Sequence, residues 1–150
     1  MLKDDIIKLL IREAISARKN AYAPYSKYLV GAALIVPSGR IYTGCNIENS
    51  SYGLTNCAER TAIFKAVSEG QRHVDAIAIV GAPLDVGLES EDLEASQEDF
   101  DYAYPCGACR QVMAEFLPDS KDIDIIVAKS ESDYRVLKLE DMLPYTFELV

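Results

Sequence analysis

The chain has 150 residues, of which 49% are hydrophobic and 26% are charged, and its formal net charge is −9. This length and composition predict one globular domain with its own core, and they exclude a disulfide-rich mini-protein, a collagen-like chain and a wholly disordered chain. No apolar run approaches the roughly 18 residues of a membrane helix, and the first residues lack the basic start and apolar stretch of a signal peptide. We therefore expect a cytoplasmic protein.

The spacing of apolar residues predicts eight elements in the order helix, strand, strand, helix, strand, helix, strand, strand. They are a helix from residue 4 or 5 to about 20, strands over 29–36 and 41–47, a helix over 57–69, a strand over 74–80, a helix over 106–116 and strands over 123–128 and 134–139. This order favours a mixed sheet with helices on both faces. No repeat or linker divides the chain.

The negative charge is concentrated in one segment. Residues 85–101 contain eight Asp or Glu side chains and no Lys or Arg, so the rest of the chain has a net charge of only −1. A nearly neutral body offers no basic surface for a phosphate backbone, which argues against a nucleic-acid partner. We interpret the acidic run as a solvated loop.

Two of the four cysteines stand where predicted helices begin, Cys57 and Cys106. Helix N-termini carry partial positive charge, which favours the thiolate form that binds metals. Cys109 shares a helical face with Cys106, and Cys57 supplies a third sulfur if the two helix starts converge. Three ligands with one open position is the pattern of catalytic zinc, whereas four is structural. Cys45 could be a fourth ligand, although its place in a strand favours a buried thiol.

Glu59 follows Cys57 by two residues, which is roughly 200° around an ideal helix. Both side chains can face one metal only if Cys57 lies before the regular helix. Glu59 taken alone is typical of an exposed helical carboxylate, but together with the downstream cysteine pair it indicates a role beside the metal. The single histidine, His73, lies between a helix end and a strand, and we expect a structural role for it.

Several segments resemble the zinc-dependent cytidine deaminases of the small, homotetrameric type. They are 46–49 (Asn-Ile-Glu-Asn), 57–62 (Cys-Ala-Glu-Arg-Thr-Ala), 105–111 (Pro-Cys-Gly-Ala-Cys-Arg-Gln), 22–27 (Tyr-Ala-Pro-Tyr-Ser-Lys) and 143–147 (Leu-Pro-x-x-Phe). The resemblance covers nearly the whole chain except about 84–97, where the acidic segment resembles an insertion. It implies a single α/β domain over 1–150, a three-layer α/β/α sandwich with a mixed five-stranded sheet.

The resemblance also implies the chemistry, which is hydrolysis of cytidine and deoxycytidine to uridine and deoxyuridine, with release of ammonia. One Zn²⁺ per subunit, held by Cys57, Cys106 and Cys109, would activate a water molecule, and Glu59 would shuttle its proton. Arg60 would hydrogen-bond a ligand sulfur and draw off part of the charge of three thiolates.

The same resemblance implies the substrate contacts. Asn46 and Glu48 would hydrogen-bond the ribose hydroxyls, and Tyr28, where the family commonly has Phe, would lie near the base together with Ala58. Phe147 and Tyr52, and also Tyr25, match residues that complete the site of a neighbouring subunit. Each of these side chains could instead serve in local packing or loop capping.

Three other functions remain open from the residues alone. A related deaminase could act on a modified cytosine nucleoside, although Asn46 and Glu48 favour an unmodified ribose. A structural zinc module would use Cys45 as fourth ligand and leave Glu59 without a purpose. A dithiol redox protein would oxidise Cys106 and Cys109 reversibly without metal.

Overall fold

A computed structural model describes residues 2–88, 100–119 and 122–149 of the chain. The elements in these ranges are α1 (Asp4–Arg18), β1 (Tyr28–Ile35), β2 (Ile41–Cys45), a 3₁₀ turn (Tyr52–Leu54), α2 (Ala58–Ser68), β3 (Ala76–Pro83), α3 (Gly107–Glu115), β4 (Asp124–Ser130), β5 (Asp133–Lys138) and α4 (Leu139–Met142). All eight predicted elements are present in the predicted order. The short helix α4 was not predicted, and most of the acidic segment, residues 89–99, lies outside the described residues.

The five strands form one mixed sheet in the order β2-β1-β3-β4-β5. Only β3 and β4 pair in parallel, and the other three pairs are antiparallel. Strands β1 and β2 form the predicted hairpin, and β3 is buried along seven of its eight residues. A parallel pair requires a crossover, and α3 lies within the stretch of chain between β3 and β4.

Helices cover both faces of the sheet, as predicted. Helix α1 lies on one face, where Leu10 and Ile11 are fully buried. Helices α2 and α3 lie on the other face, where Ile63 and Met113 are fully buried. The result is a three-layer α/β/α sandwich. None of the helices in the described ranges has the length and hydrophobicity that a transmembrane span requires.

Two glycines let helices lie directly against the backbone of the sheet. A Cβ atom at Gly31 would be 1.9 Å from the carbonyl oxygen of Ala14 on α1, and one at Gly44 would be 2.5 Å from the amide nitrogen of Ala62 on α2. Real Cβ atoms do not approach backbone atoms so closely, so a larger residue would push the helix away. Gly44 thereby sets the distance between the sheet and α2, the helix that begins at the candidate site.

Candidate active site

Three cysteine sulfurs from two distant segments come together at one end of the fold. The Sγ atoms of Cys57 and Cys106 are 3.8 Å apart, and those of Cys106 and Cys109 are 3.5 Å apart. All three lie within 4.8 Å of one another. Zn–S bonds of about 2.3 Å at tetrahedral angles separate two sulfur ligands by roughly 3.8 Å. The observed spacing therefore fits a single tetrahedral metal ion with three thiolate ligands.

The local backbone explains why these sulfurs converge. Cys57 and Cys106 are the residues immediately before α2 and α3, and both have extended backbone, with φ/ψ of −77°/155° and −68°/168°. Cys109 lies in the first turn of α3 and is buried. Two helix N-termini therefore point at the same place, and their partial positive charges stabilise anionic sulfur.

The charges around the sulfurs also favour a cation. A hydrogen bond from the Cys109 thiol, supported by one from Arg60 Nη2 at 3.2 Å, lowers the pKa of Cys57 to about 5. The same contact with Cys57, together with burial, raises the pKa of the Cys109 thiol. One thiolate thus forms readily and opposes the ionisation of its neighbour. Three thiolates at this distance require a positive ion among them.

Glu59 lies beside the sulfurs although it is only two residues from Cys57. Because Cys57 precedes the regular helix, the geometric condition set by the sequence is met, and both residues line one cleft. The Glu59 side chain is 4% exposed, and burial raises its pKa to about 7, with a further contribution from the Cys57 charge. A carboxyl group with such a pKa can both accept and donate a proton near neutral pH.

The cleft beside the sulfurs has a volume of about 310 Å³. Six of the predicted site residues line it, namely Tyr28, Asn46, Cys57, Ala58, Glu59 and Cys106. Six further lining residues were missed, namely Val30, Thr55, Asn56, Ile79, Ala103 and Tyr104. Thr55, Asn56, Ala103 and Tyr104 flank the two cysteine motifs, which is the signal that could have identified them. Val30 on β1 and Ile79 on β3 reach the cleft only because their two strands pair, which no local sequence pattern indicates.

Asn46 has a structural contact at each end of its side-chain amide. Its Oδ1 accepts a hydrogen bond from the Val30 amide at 2.9 Å, and its Nδ2 donates one to the Tyr28 carbonyl at 2.8 Å. The amide therefore holds the start of β1 in place behind the cleft. One Nδ2 hydrogen and one Oδ1 lone pair remain for a ligand, so both predicted roles are compatible.

Glu48 lines a second, neighbouring cavity of about 430 Å³ together with Tyr52. Its Oε1 accepts hydrogen bonds from the amides of Tyr25 at 3.0 Å and Ser26 at 3.1 Å, and hydrogen bonding to Ser26 lowers the pKa of Glu48. The structure does not bring Glu48 or Tyr52 to the lining of the sulfur cleft. The two cavities share one lining residue, Thr55.

Three remaining residues lie away from the cleft. Phe147 is 70% exposed, and its carbonyl oxygen accepts a hydrogen bond from Gln111. His73 Nδ1 donates to the Leu117 carbonyl at 2.9 Å, in the structural role predicted for it. Cys45 lies at the end of β2 and does not join the metal-binding group found among the described residues. The geometry therefore gives no support to a four-cysteine structural site.

Comparisons with known proteins agree with this geometry. Residues 5–122 match the sequence profile of a family described as the cytidine and deoxycytidylate deaminase zinc-binding region. A cytidine deaminase from Halalkalibacterium halodurans is 46% identical over 140 residues, covering 93% of this chain and 92% of that protein. One from Sporosarcina psychrophila is 45% identical over 141 residues, covering 94% and 90%. The crystal structure of a cytidine deaminase from Burkholderia pseudomallei has a TM-score of 0.74 at 42% identity, covering 93% and 97%.

Zinc content will distinguish a three-sulfur site from a four-sulfur site. We expect Cys45→Ser to retain one zinc per chain, because Cys45 lies outside the sulfur group, and Cys106→Ser to lose most of it. The measurement is metal analysis of the purified proteins by plasma mass spectrometry, with circular dichroism as the control for folding. Loss of zinc from Cys45→Ser would contradict the three-ligand assignment.

Proposed function

Because the chain belongs to the family of the cytidine and deoxycytidylate deaminase zinc-binding region, we propose that it hydrolyses cytidine and deoxycytidine to uridine and deoxyuridine. The amino group on C4 of the base leaves as ammonia and is replaced by oxygen from water, a reaction of pyrimidine salvage. The observation that carries the proposal is three cysteine sulfurs at zinc spacing beside a buried glutamate, in a cleft of about 310 Å³.

One Zn²⁺ per subunit would be held by Cys57, Cys106 and Cys109. When bound there, zinc supplies a Lewis acid that makes water a nucleophile near neutral pH. The two helix N-termini hold the three sulfurs close together before the metal binds, so little rearrangement of the chain is required for binding.

Glu59 would be the general acid and base of the reaction. Its carboxylate accepts a proton from the attacking water and delivers that proton to N3 of the base. It then assists the departure of the amino group. This role requires a carboxyl group near the metal but not bonded to it, and a pKa of about 7 supports both halves of the proton transfer.

Arg60 would moderate the charge of the site. Three thiolates around Zn²⁺ have a formal charge of −1, which weakens the electrophilic character of the metal. The hydrogen bond from Arg60 Nη2 to Cys57 Sγ withdraws electron density from one sulfur. Arg60 therefore acts through the ligand and not on the substrate.

Four side chains would contact the ribose and the base of the nucleoside. Asn46 lines the cleft, and its bonds to Val30 and Tyr28 leave one amide hydrogen and one lone pair unused, which suits a ribose hydroxyl. Tyr28 and the small Ala58 line the cleft and would lie against the base. Glu48 would reach the ribose from the neighbouring cavity, provided that the nucleoside extends past Thr55.

Two exposed aromatic residues support a homotetramer in which subunits complete one another's sites. Tyr52 is 77% exposed and Phe147 is 70% exposed, and neither reaches the sulfur cleft of its own chain. The family resemblance assigns both residues to the site of a neighbouring subunit, and their exposure leaves them available for that contact. We further propose a single domain over 1–150 with an acidic insertion at about 84–97. A cytoplasmic location is consistent with three closely spaced thiols, which stay reduced there.

The assay is ammonia release from cytidine by the purified, zinc-loaded protein, with and without a chelator. We expect the wild-type protein to release ammonia and to lose activity with the chelator. Glu59→Gln should keep its zinc and lose roughly 10²–10⁴-fold in kcat, because the amide cannot carry the proton. A Glu59→Gln protein with normal turnover would refute the role of Glu59, and a wild-type protein without ammonia release would refute the proposed function.

Replacing Arg60 tests the moderation of thiolate charge. We expect Arg60→Ala to bind zinc partly and to lose roughly tenfold in kcat for the metal-loaded fraction, because a charge-assisted hydrogen bond to Cys57 is lost. The control is Arg72→Ala, since Arg72 follows the other end of α2 and contacts the Val67 carbonyl. Kinetics normalised to zinc content measure the effect. Equal kcat in the two variants would remove Arg60 from the mechanism.

Sedimentation equilibrium tests the oligomer. We expect a mass of four times the chain mass of 16.6 kDa, and we expect Phe147→Ala to lower activity on cytidine, because Phe147 would act in a neighbouring site. A monomeric wild-type protein with full activity would contradict the assembly while leaving the reaction unaffected.

A further inference from the structure

The wall of the cleft beside Cys106 is formed by a tyrosine that no cysteine motif includes. Tyr104 lines the cleft together with Glu59 and Cys106, and its side chain is 43% exposed. It precedes Cys106 by two residues, with only the buried Pro105 between them. Tyr104 is therefore a rim residue on the metal side of the cleft.

Side chains of β5 and the neighbouring Tyr102 hold Tyr104 in place. Arg135 Nη1 donates a hydrogen bond to the Tyr104 hydroxyl at 3.3 Å. The guanidinium carbon of Arg135 lies 4.7 Å from the ring centroid of Tyr102, and the Tyr102 hydroxyl donates to the carboxylate of Asp133. The rings of Tyr102 and Tyr104 meet edge to face, with centroids 6.4 Å apart. These contacts limit the rotation of a side chain that is otherwise open to solvent.

The chemistry of the reaction places the base beside this wall. The reacting carbon, C4, must lie next to the metal that the three sulfurs would hold, so the base occupies the metal side of the cleft. The sugar, which is attached to the opposite side of the pyrimidine ring, must lie farther out. A rim residue adjacent to Cys106 therefore faces the base, and an aromatic ring at that position can stack on it or pack against its edge.

We propose that Tyr104 is a specificity-determining residue that contacts the base of the nucleoside, and that Arg135 is the residue that positions it. The proposal rests on the proposed function. The carbon next to C4 is C5, so a ring packed at this wall also limits the size of a substituent on C5.

Steady-state kinetics on zinc-loaded protein test the contact. We expect Tyr104→Ala to raise KM for cytidine roughly five- to tenfold, with kcat within twofold, because the ring contributes to binding equally before and during the reaction. Tyr104→Phe should raise KM only about two- to threefold, since it keeps the ring and loses only the hydroxyl that accepts a hydrogen bond from Arg135. The matched control is Tyr134→Phe, whose hydroxyl bonds Asp4 on the α1 side of the fold at 2.7 Å; its KM should not change.

Selectivity supplies a second readout that a merely structural role would not change. Removing the ring makes room beside C5, so we expect Tyr104→Ala to raise the ratio of kcat/KM for 5-methylcytidine to that for cytidine at least fivefold. An unchanged KM for cytidine or an unchanged ratio in Tyr104→Ala overturns the assignment of Tyr104. Binding of uridine, followed by calorimetry, should weaken by the same factor as KM rises.

A double-mutant cycle tests the positioning role of Arg135. Arg135→Ala should raise KM in the wild-type background and have a smaller effect in the Tyr104→Phe background, because both changes remove the same hydrogen bond. The control is Arg12→Ala, since Arg12 pairs with Glu131 at 2.8 Å on the surface. Strict additivity would overturn the role of Arg135. A wild-type protein that releases no ammonia from cytidine would overturn the proposed function itself, whereas normal release with an unaltered Tyr104→Ala variant would overturn only this inference.

Discussion

The site depends on holding three sulfurs within 4.8 Å of one another although each repels the others once it is ionised. Two helix starts solve this problem, because Cys57 and Cys106 stand in extended backbone just before α2 and α3, where the amide groups of each helix carry partial positive charge. The position of α2 is in turn fixed by Gly44, which lets the helix lie against β2. Packing at the sheet therefore determines the geometry at the metal.

The same arrangement gives two neighbouring acidic side chains, Cys57 and Glu59, opposite shifts of their pKa values. Cys57 ionises easily because Cys109 and Arg60 donate hydrogen bonds to its sulfur. Glu59 is only 4% exposed and lies close to the Cys57 charge, so its pKa is raised and it holds its proton more strongly. A thiolate that binds a cation and a carboxyl group that exchanges protons thus arise within three residues of one helix start. Burial and donor placement produce the difference, since both groups are acids in water.

The cleft is assembled from backbone contacts as much as from side chains. Asn46 ties the end of the hairpin to the start of β1, which fixes the wall that carries Tyr28. On the opposite side, β5 supplies Arg135, which braces Tyr104 next to the second cysteine motif. The strand order puts β3 and β4 between these two walls, so the width of the cleft is set by the sheet. Hydrogen bonds and strand pairing behind the cleft walls thereby control the space that a nucleoside would enter.

Local patterns determined much of this protein. The apolar spacing predicted all eight major elements and helices on both faces of the sheet, because periodicity is a short-range property of a chain. The residues alone left open whether the starts of the helices at Cys57 and Cys106 converge, and the grouping of their sulfurs with Cys109 was implied by the family resemblance. Tertiary structure alone decided that Glu48 lies in a neighbouring cavity, that Asn46 bonds the backbone of β1, and that Tyr104 joins the cleft. These outcomes depend on strand pairing and on how segments far apart in sequence pack together. No local pattern encodes the distance between such segments.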